Sequence, residues 1–127
     1  MGRKFTFPSS LRLKSKKQIE ALFTSNDASL SYPILIKYSE DITSSDSFIK
    51  VAFTVPKKNF PNATDRNRIK RLMKESYRLN WRQIFEEINH KKNLNLILIY
   101  LDKKELSYSV IEVALKKGLE KLKRSLT

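Results

Sequence analysis

Residues 65–82 read DRNRIKRLMKESYRLNWR, and at 3.6 residues per turn this stretch divides into two unlike sides. Ile69, Leu72, Met73, Ser76 and Asn80 fall along one side, which the spacing predicts to pack. Asn67, Arg71, Lys74, Arg78 and Arg82 fall along the other and face outward. Asp65 is placed to cap the helix, its carboxylate accepting from first-turn N–H groups at the positive end of the dipole. Between Lys57 and Arg82 nine Lys or Arg stand against two acids, Asp65 and Glu75. Like charges at this helical spacing repel by roughly 0.2–0.5 kcal/mol per pair, and only Glu75 relieves the row. A solvated helix face ordinarily interleaves both signs, so this row points to a polyanion outside the chain. Arg66 and Arg68 flank Asn67 at the helix start, where free N–H groups also favour phosphate. The planar fork of Arg matches phosphate oxygens, while Asn both donates and accepts, so structured nucleic acid fits better than a simple anion.

The rest of the chain carries the same bias. Its 127 residues suit one domain with a real core, with residues 1–14 as an extended basic arm. A net charge of +13 makes nucleic acid the leading partner class and an anionic membrane surface a distant second. The absence of cysteine removes disulfides and thiolate metal sites and fits a reducing cytoplasm. MGRKFTFPSSLRLK lacks the apolar centre of a signal peptide, and no later run has membrane-spanning length.

Outward from the basic helix, Ser15 and Gln18 form a capping-box pattern ahead of a short helix over 16–24, with Ile19, Leu22 and Phe23 on one side. Residues 25–31 read as a polar loop, and YPILIKY, 32–38, as a strand near an edge. EDITSSDS, 40–47, reads as an acidic hairpin loop facing away from any polyanion. FIKVAFTV, 48–55, alternates: Ile49, Val51, Phe53 and Val55 share one face, and Lys50, Ala52 and Thr54 leave the other small and polar. PKKNFPNAT, 56–64, is a loop into the basic helix, which either runs to Ile88 or breaks near Asn80. LNLILIYL, 94–101, is a buried central strand. A last helix is capped by Ser107 or by Ser109, with Glu112 completing a box for the latter; Ile111, Leu115 and Leu122 lie along one side with Gly118 completing the row, and Ala114 and Leu119 border it. Helix, strand, strand, helix, strand, helix makes an α/β arrangement: a small mixed sheet covered by helices.

A self-sufficient nuclease needs grouped carboxylates for Mg²⁺ or a paired acid and base. The chain has one histidine, His90, and its adjacent acids, Glu40-Asp41 and Glu86-Glu87, diverge on any regular element. Two glycines, Gly2 and Gly118, make no phosphate loop. Phe23, Phe53 and Phe85 are read as core residues before stacking ones.

FTVPKKNFPNATDRNRIKRLMKESYR resembles the signature of the protein subunit of bacterial ribonuclease P. That pattern is a strand ending in Ser/Thr-Val-x-Lys-Lys/Arg, then Ala, two variable residues and Arg-Asn-Arg-x-Lys-Arg. Thr54, Val55, Lys57, Lys58, Ala63, Arg66, Asn67, Arg68, Lys70 and Arg71 supply it here, and the likeness covers roughly residues 9–124. The resemblance implies a two-layer α/β sandwich with a left-handed βαβ crossover, like that of some ribosomal proteins. It implies a cofactor protein for a catalytic RNA, one copy per RNA, acting in the cytoplasm on precursor tRNA. Mg²⁺ held by the RNA would cut off the 5′ leader, with no protein active site.

By position, the resemblance assigns Arg66, Asn67, Arg68, Lys70, Arg71 and Lys74 to the RNA subunit. It assigns Arg12, Lys14, Phe23, Lys50, Thr54, Lys57 and Lys58 to a groove for the leader. Ile19 and Lys37 or Tyr38 stand where the family often has aromatic residues, and Asn59-Phe60-Pro61 replaces its glycine-containing turn. The alternatives are a ribosomal or chaperone RNA-binding protein and a self-sufficient nuclease.

Overall fold

The computed structural model describes residue 13 and residues 16–40, 49–85 and 93–126. The elements are α1 (Lys16–Phe23), β1 (Ala28–Ser31), β2 (Ile34–Glu40), β3 (Ile49–Thr54), α2 (Ala63–Phe85), β4 (Leu94–Tyr100) and α3 (Tyr108–Leu126).

Every residue of β4 is buried, Asn95 among them, as a largely apolar run requires when both faces of its strand are covered. β4 pairs antiparallel with β2 and parallel with β3, giving the order β1-β2-β4-β3. The mixed sheet therefore contains one βαβ unit, β3-α2-β4, between neighbouring parallel strands. Leu94, Leu96, Leu98 and Tyr100 join Ile34, Ile36, Ile49 and Val51 in the main core. Ile69, Met73, Tyr77 and Trp81 of α2 and Ile111, Leu115, Leu119 and Leu122 of α3 complete it. Fully burying one such side chain contributes about 1.5–3 kcal/mol. On the opposite face Ile97 and Ile99 make a smaller cluster with Leu13 and with Leu22 of α1. This is the small mixed sheet covered by helices expected from the order of elements, and the α/β sandwich that the resemblance implies.

Several local expectations are corrected. Residues 28–31 are not loop but β1, paired with β2 across a two-residue turn at Tyr32 and Pro33, whose peptide bond is cis. β2 and β3 are not hairpin neighbours, because β4 lies between them and Glu40 and Ile49 both stand opposite Leu94; residues 41–47 of the expected acidic loop lie outside the described residues. The basic helix starts at Ala63, two residues ahead of Asp65. Its cap is Asn62, whose Oδ1 accepts from the N–H of Thr64 at 3.1 Å. The helix does not break at Asn80. That side chain is buried and donates to the Ser76 carbonyl at 2.7 Å and to Glu112 at 3.1 Å, so a polar residue ties α2 to α3. Ser107, rather than Ser109, caps α3, its Oγ accepting from the N–H of Val110 at 3.4 Å. Glu112 accepts from Asn80 and Tyr108 instead of completing a box.

Among the described residues, both outer strands have a side that pairs with no other strand, and each is engaged there. The N–H of Leu13 donates to the carbonyl of Val51 on β3 at 2.9 Å. Lys121 donates from Nζ to the carbonyl of Leu30 on β1 at 2.7 Å. A lysine at a sheet edge discourages pairing with another chain.

Candidate RNA interface

α2 presents its charge where its packing leaves it room. Ile69, Met73, Ser76, Tyr77, Asn80, Trp81 and Ile84 are buried, and Asn67, Arg71 and Lys74 emerge on the opposite side. Lys70 and Arg66 are half-buried at the border. Further along, Arg78 pairs with Glu75 at 2.7 Å, which pulls the Glu75 carboxyl below its ordinary range, and Arg82 lies over the Trp81 ring at 5.5 Å.

The two arginines of the motif are engaged within the chain. Arg66 Nη1 donates to the carbonyls of Phe60 and Pro61, both at 2.9 Å, and so holds the loop that leads into the helix. That loop is pinned from the other side by Phe60, buried against Tyr100, and by the N–H groups of Asn59 and Phe60 on the Pro56 carbonyl. Arg68 donates from Nε to Glu105 Oε1 at 2.6 Å, and from Nη2 to Glu105 Oε2 at 3.1 Å and Asp65 Oδ1 at 2.7 Å. The hydrogen bond to Glu105 raises the Arg68 pKa above its ordinary value. Relief of the positive row therefore comes from Glu105 and Asp65 as well as Glu75. Periodicity within α2 carries no signal of Glu105, which is 37 residues away in sequence.

Lys50 and Thr54 both lie on the second face of the sheet. Lys50 stands opposite Asn95, which stands opposite Ser39; Ala52, Ile97 and Lys37 form the next row, and Thr54, Ile99 and Leu35 the third. α1 crosses this face on β4 and β2, and Leu22 seals Ile97 and Ile99 beneath it. Phe23, expected in the core, is instead 45% exposed, because Leu22 takes the inward position at the last turn of α1. Phe53 does join the core, edge-on to Tyr77 at 5.7 Å. Lys57 and Lys58 are exposed in the turn after β3. Arg12, Lys14, His90 and the side chain of Phe85 lie outside the described residues. The face thus combines a polar row, a sealed apolar floor and an exposed aromatic ring at one wall. Such a combination suits a single strand, with a cation for phosphate and a ring for a base.

Among the described residues no group of three or more His, Cys, Asp or Glu is placed to hold a metal ion. Nor, among them, is any helix long and apolar enough to cross a membrane.

A ribonuclease P protein component from Chlorobium phaeobacteroides is 38% identical over 76 residues, which is 58% of this chain and about half (52%) of that relative. One from Porphyromonas gingivalis is 28% identical over 116 residues, covering 91% of this chain and 85% of the relative. The fold is similar to that of the Staphylococcus aureus RNase P protein, with a TM-score of 0.66 at 18% identity over 88% of this chain and 94% of that one. The family model described as Ribonuclease P matches residues 7–123, nearly the whole sandwich together with the basic helix and the second sheet face. On that match the chain belongs to the family of ribonuclease P protein components.

Proposed function

We propose that this chain is the protein subunit of a ribonuclease P ribonucleoprotein, which removes the 5′ leader of precursor tRNA endonucleolytically to leave the mature 5′ end. In this reading Asn67, Arg71 and Lys74, with Lys70 at their border, meet the catalytic RNA. The face around Lys50, Thr54 and Phe23 holds the single-stranded leader. Bond cleavage is left to Mg²⁺ bound by the RNA, and no step passes through a protein group.

The observation that carries the proposal is the division of α2, one side buried from Ile69 to Ile84 and the other presenting Asn67, Arg71 and Lys74. Cations at this spacing repel one another until a polyanion offsets them. The protein's contribution is then positional and electrostatic. It neutralises phosphate repulsion between two RNAs and fixes the leader's path, so that less Mg²⁺ is needed to hold the substrate.

The test is to add the purified chain to a bacterial ribonuclease P RNA and follow precursor tRNA maturation at low Mg²⁺ over many turnovers. The chain should stimulate it. Binding without stimulation would favour a ribosomal or chaperone role, and cleavage by RNA-free protein would overturn the proposal.

A further inference from the structure

The loop between β4 and α3 is held from the centre of the sheet. Tyr100, the last residue of β4, is fully buried, yet its hydroxyl reaches the loop backbone on both sides of Glu105. It donates to the carbonyl of Lys104 at 2.6 Å and accepts from the N–H of Leu106 at 3.0 Å. Asp102 adds a second fixing point. Its Oδ1 accepts from the N–H of Lys104 at 2.7 Å and its Oδ2 from the Tyr32 hydroxyl at 3.0 Å, and the Lys104 bond is the first cause of its lowered pKa. Glu105 is therefore a surface residue on a backbone bracketed by a core hydroxyl. From there its carboxylate takes the Nε and Nη2 edge of Arg68 in a two-bond fork, a geometry that fixes the guanidinium plane as a single contact does not. Asp65 takes a further Nη2 hydrogen, and among the described residues Nη1 has no partner.

We propose that Glu105 is a positioning residue for the RNA-binding helix. It holds Arg68, through the Tyr100 bracket, with the Nη1 end of its guanidinium directed outward for an RNA phosphate. This rests on the reading that α2 meets RNA. It adds a role for an acid at the surface of a protein that binds a polyanion, where charge alone predicts that the acid is harmful. An exposed ion pair of this kind contributes little to stability, so its effect should appear in binding rather than in folding.

The opposition of sign makes the test. Binding of the full chain to a transcribed bacterial ribonuclease P RNA is measured over a series of salt concentrations for wild type, Glu105→Ala, Arg68→Ala and the double variant. Glu105→Ala adds one unit of positive charge, yet it should bind about fivefold more weakly, with a log–log salt slope lower by about one, because Arg68 no longer neutralises a phosphate. Arg68→Ala should weaken binding at least as much, and adding Glu105→Ala to it should cost nothing further. Tyr100→Phe keeps the ring and removes the bracket, so it should weaken binding about two- to threefold, again only when Arg68 is present. Affinity equal to or above wild type in Glu105→Ala, or an equal weakening with and without Arg68, would overturn the inference alone. Failure of the wild-type chain to bind would overturn the proposed function with it.

Discussion

Lys37 donates from Nζ to the main-chain carbonyl of Phe23 at 2.6 Å, fastening the C-terminal end of α1 to β2. A helix of eight residues is too short to be stable alone, and its last carbonyls point a partial negative charge at whatever lies beyond. An ammonium group there completes a hydrogen bond and favours the dipole, worth about 0.3–1 kcal/mol at an exposed site. Lys37→Met keeps most of the stem and removes the bond. It should lower stability by about 0.5 kcal/mol in urea titrations. It should also weaken binding of precursor tRNA with a leader more than binding of mature tRNA, since α1 carries the exposed Phe23 at the groove wall. Equal weakening for both substrates would detach α1 from the leader.

The outward residues of α2 make a separate prediction. Arg71 and Lys74 emerge on the side away from the core, so replacing both with Ala should leave the fold intact. Each cation removed from a phosphate should reduce the salt slope of RNA binding by about 0.9, so the pair should lower it by about 1.8 and weaken affinity at every salt concentration tested. An unchanged slope, read from binding titrations, would remove this side of the helix from the interface.

Lys50 lies across the sheet from Asn95 and Ser39, on the polar row of the groove. Lys50→Ala should reduce affinity for leader-bearing precursor tRNA about three- to tenfold, the value of one good phosphate interaction, and leave mature tRNA nearly unaffected. Competition binding with the two RNAs reads the difference directly.

The parts of this molecule legible in the sequence are those where periodicity and burial agree. The alternation in 48–55, the run at 94–101, apolar but for Asn95, and the inward stripe from Ile69 to Asn80 each specify an element and its buried side. β1 is not legible, because ASLS has one buried position at most and owes its extended form to pairing with β2 and to the Ser29 hydroxyl on the Gly118 carbonyl. The strand order is not legible either, since adjacency in sequence suggests β2 beside β3 while β4 inserts between them. At the site, residue types carry the cations of α2 and the short polar face of β3. The partners of Arg66 and Arg68 are hidden: Phe60 and Pro61 contribute carbonyls, which any residue has, and Glu105 comes from a loop that only the tertiary fold brings close. Three apolar residues share one side of α1, which suggests that Phe23 points inward, but Leu22, with Ile19 partly buried beside it, takes the inward positions.

Gly118 offers a test of how tightly the second layer fits. It lies in the middle of α3, where glycine costs about 1 kcal/mol in helix propensity relative to alanine, so a packing reason must outweigh that cost. A Cβ there would stand 3.0 Å from Ile36 Cδ1 and 3.5 Å from Ser31 Cβ, and Ile36 is itself fully buried. The missing side chain lets α3 approach β1 and β2 closely enough for the Gly118 carbonyl to accept from Ser29 Oγ at 2.9 Å. Gly118→Ala gains propensity and forces a small shift of Ile36, so the two effects should leave stability within about 1 kcal/mol of wild type. Gly118→Val adds two methyl groups that have nowhere to go without separating α3 from the sheet. It should destabilise by about 2–3 kcal/mol in denaturant unfolding. A Val variant as stable as the Ala variant would mean that the helix–sheet contact yields freely at this point, and the close approach would then not account for the glycine.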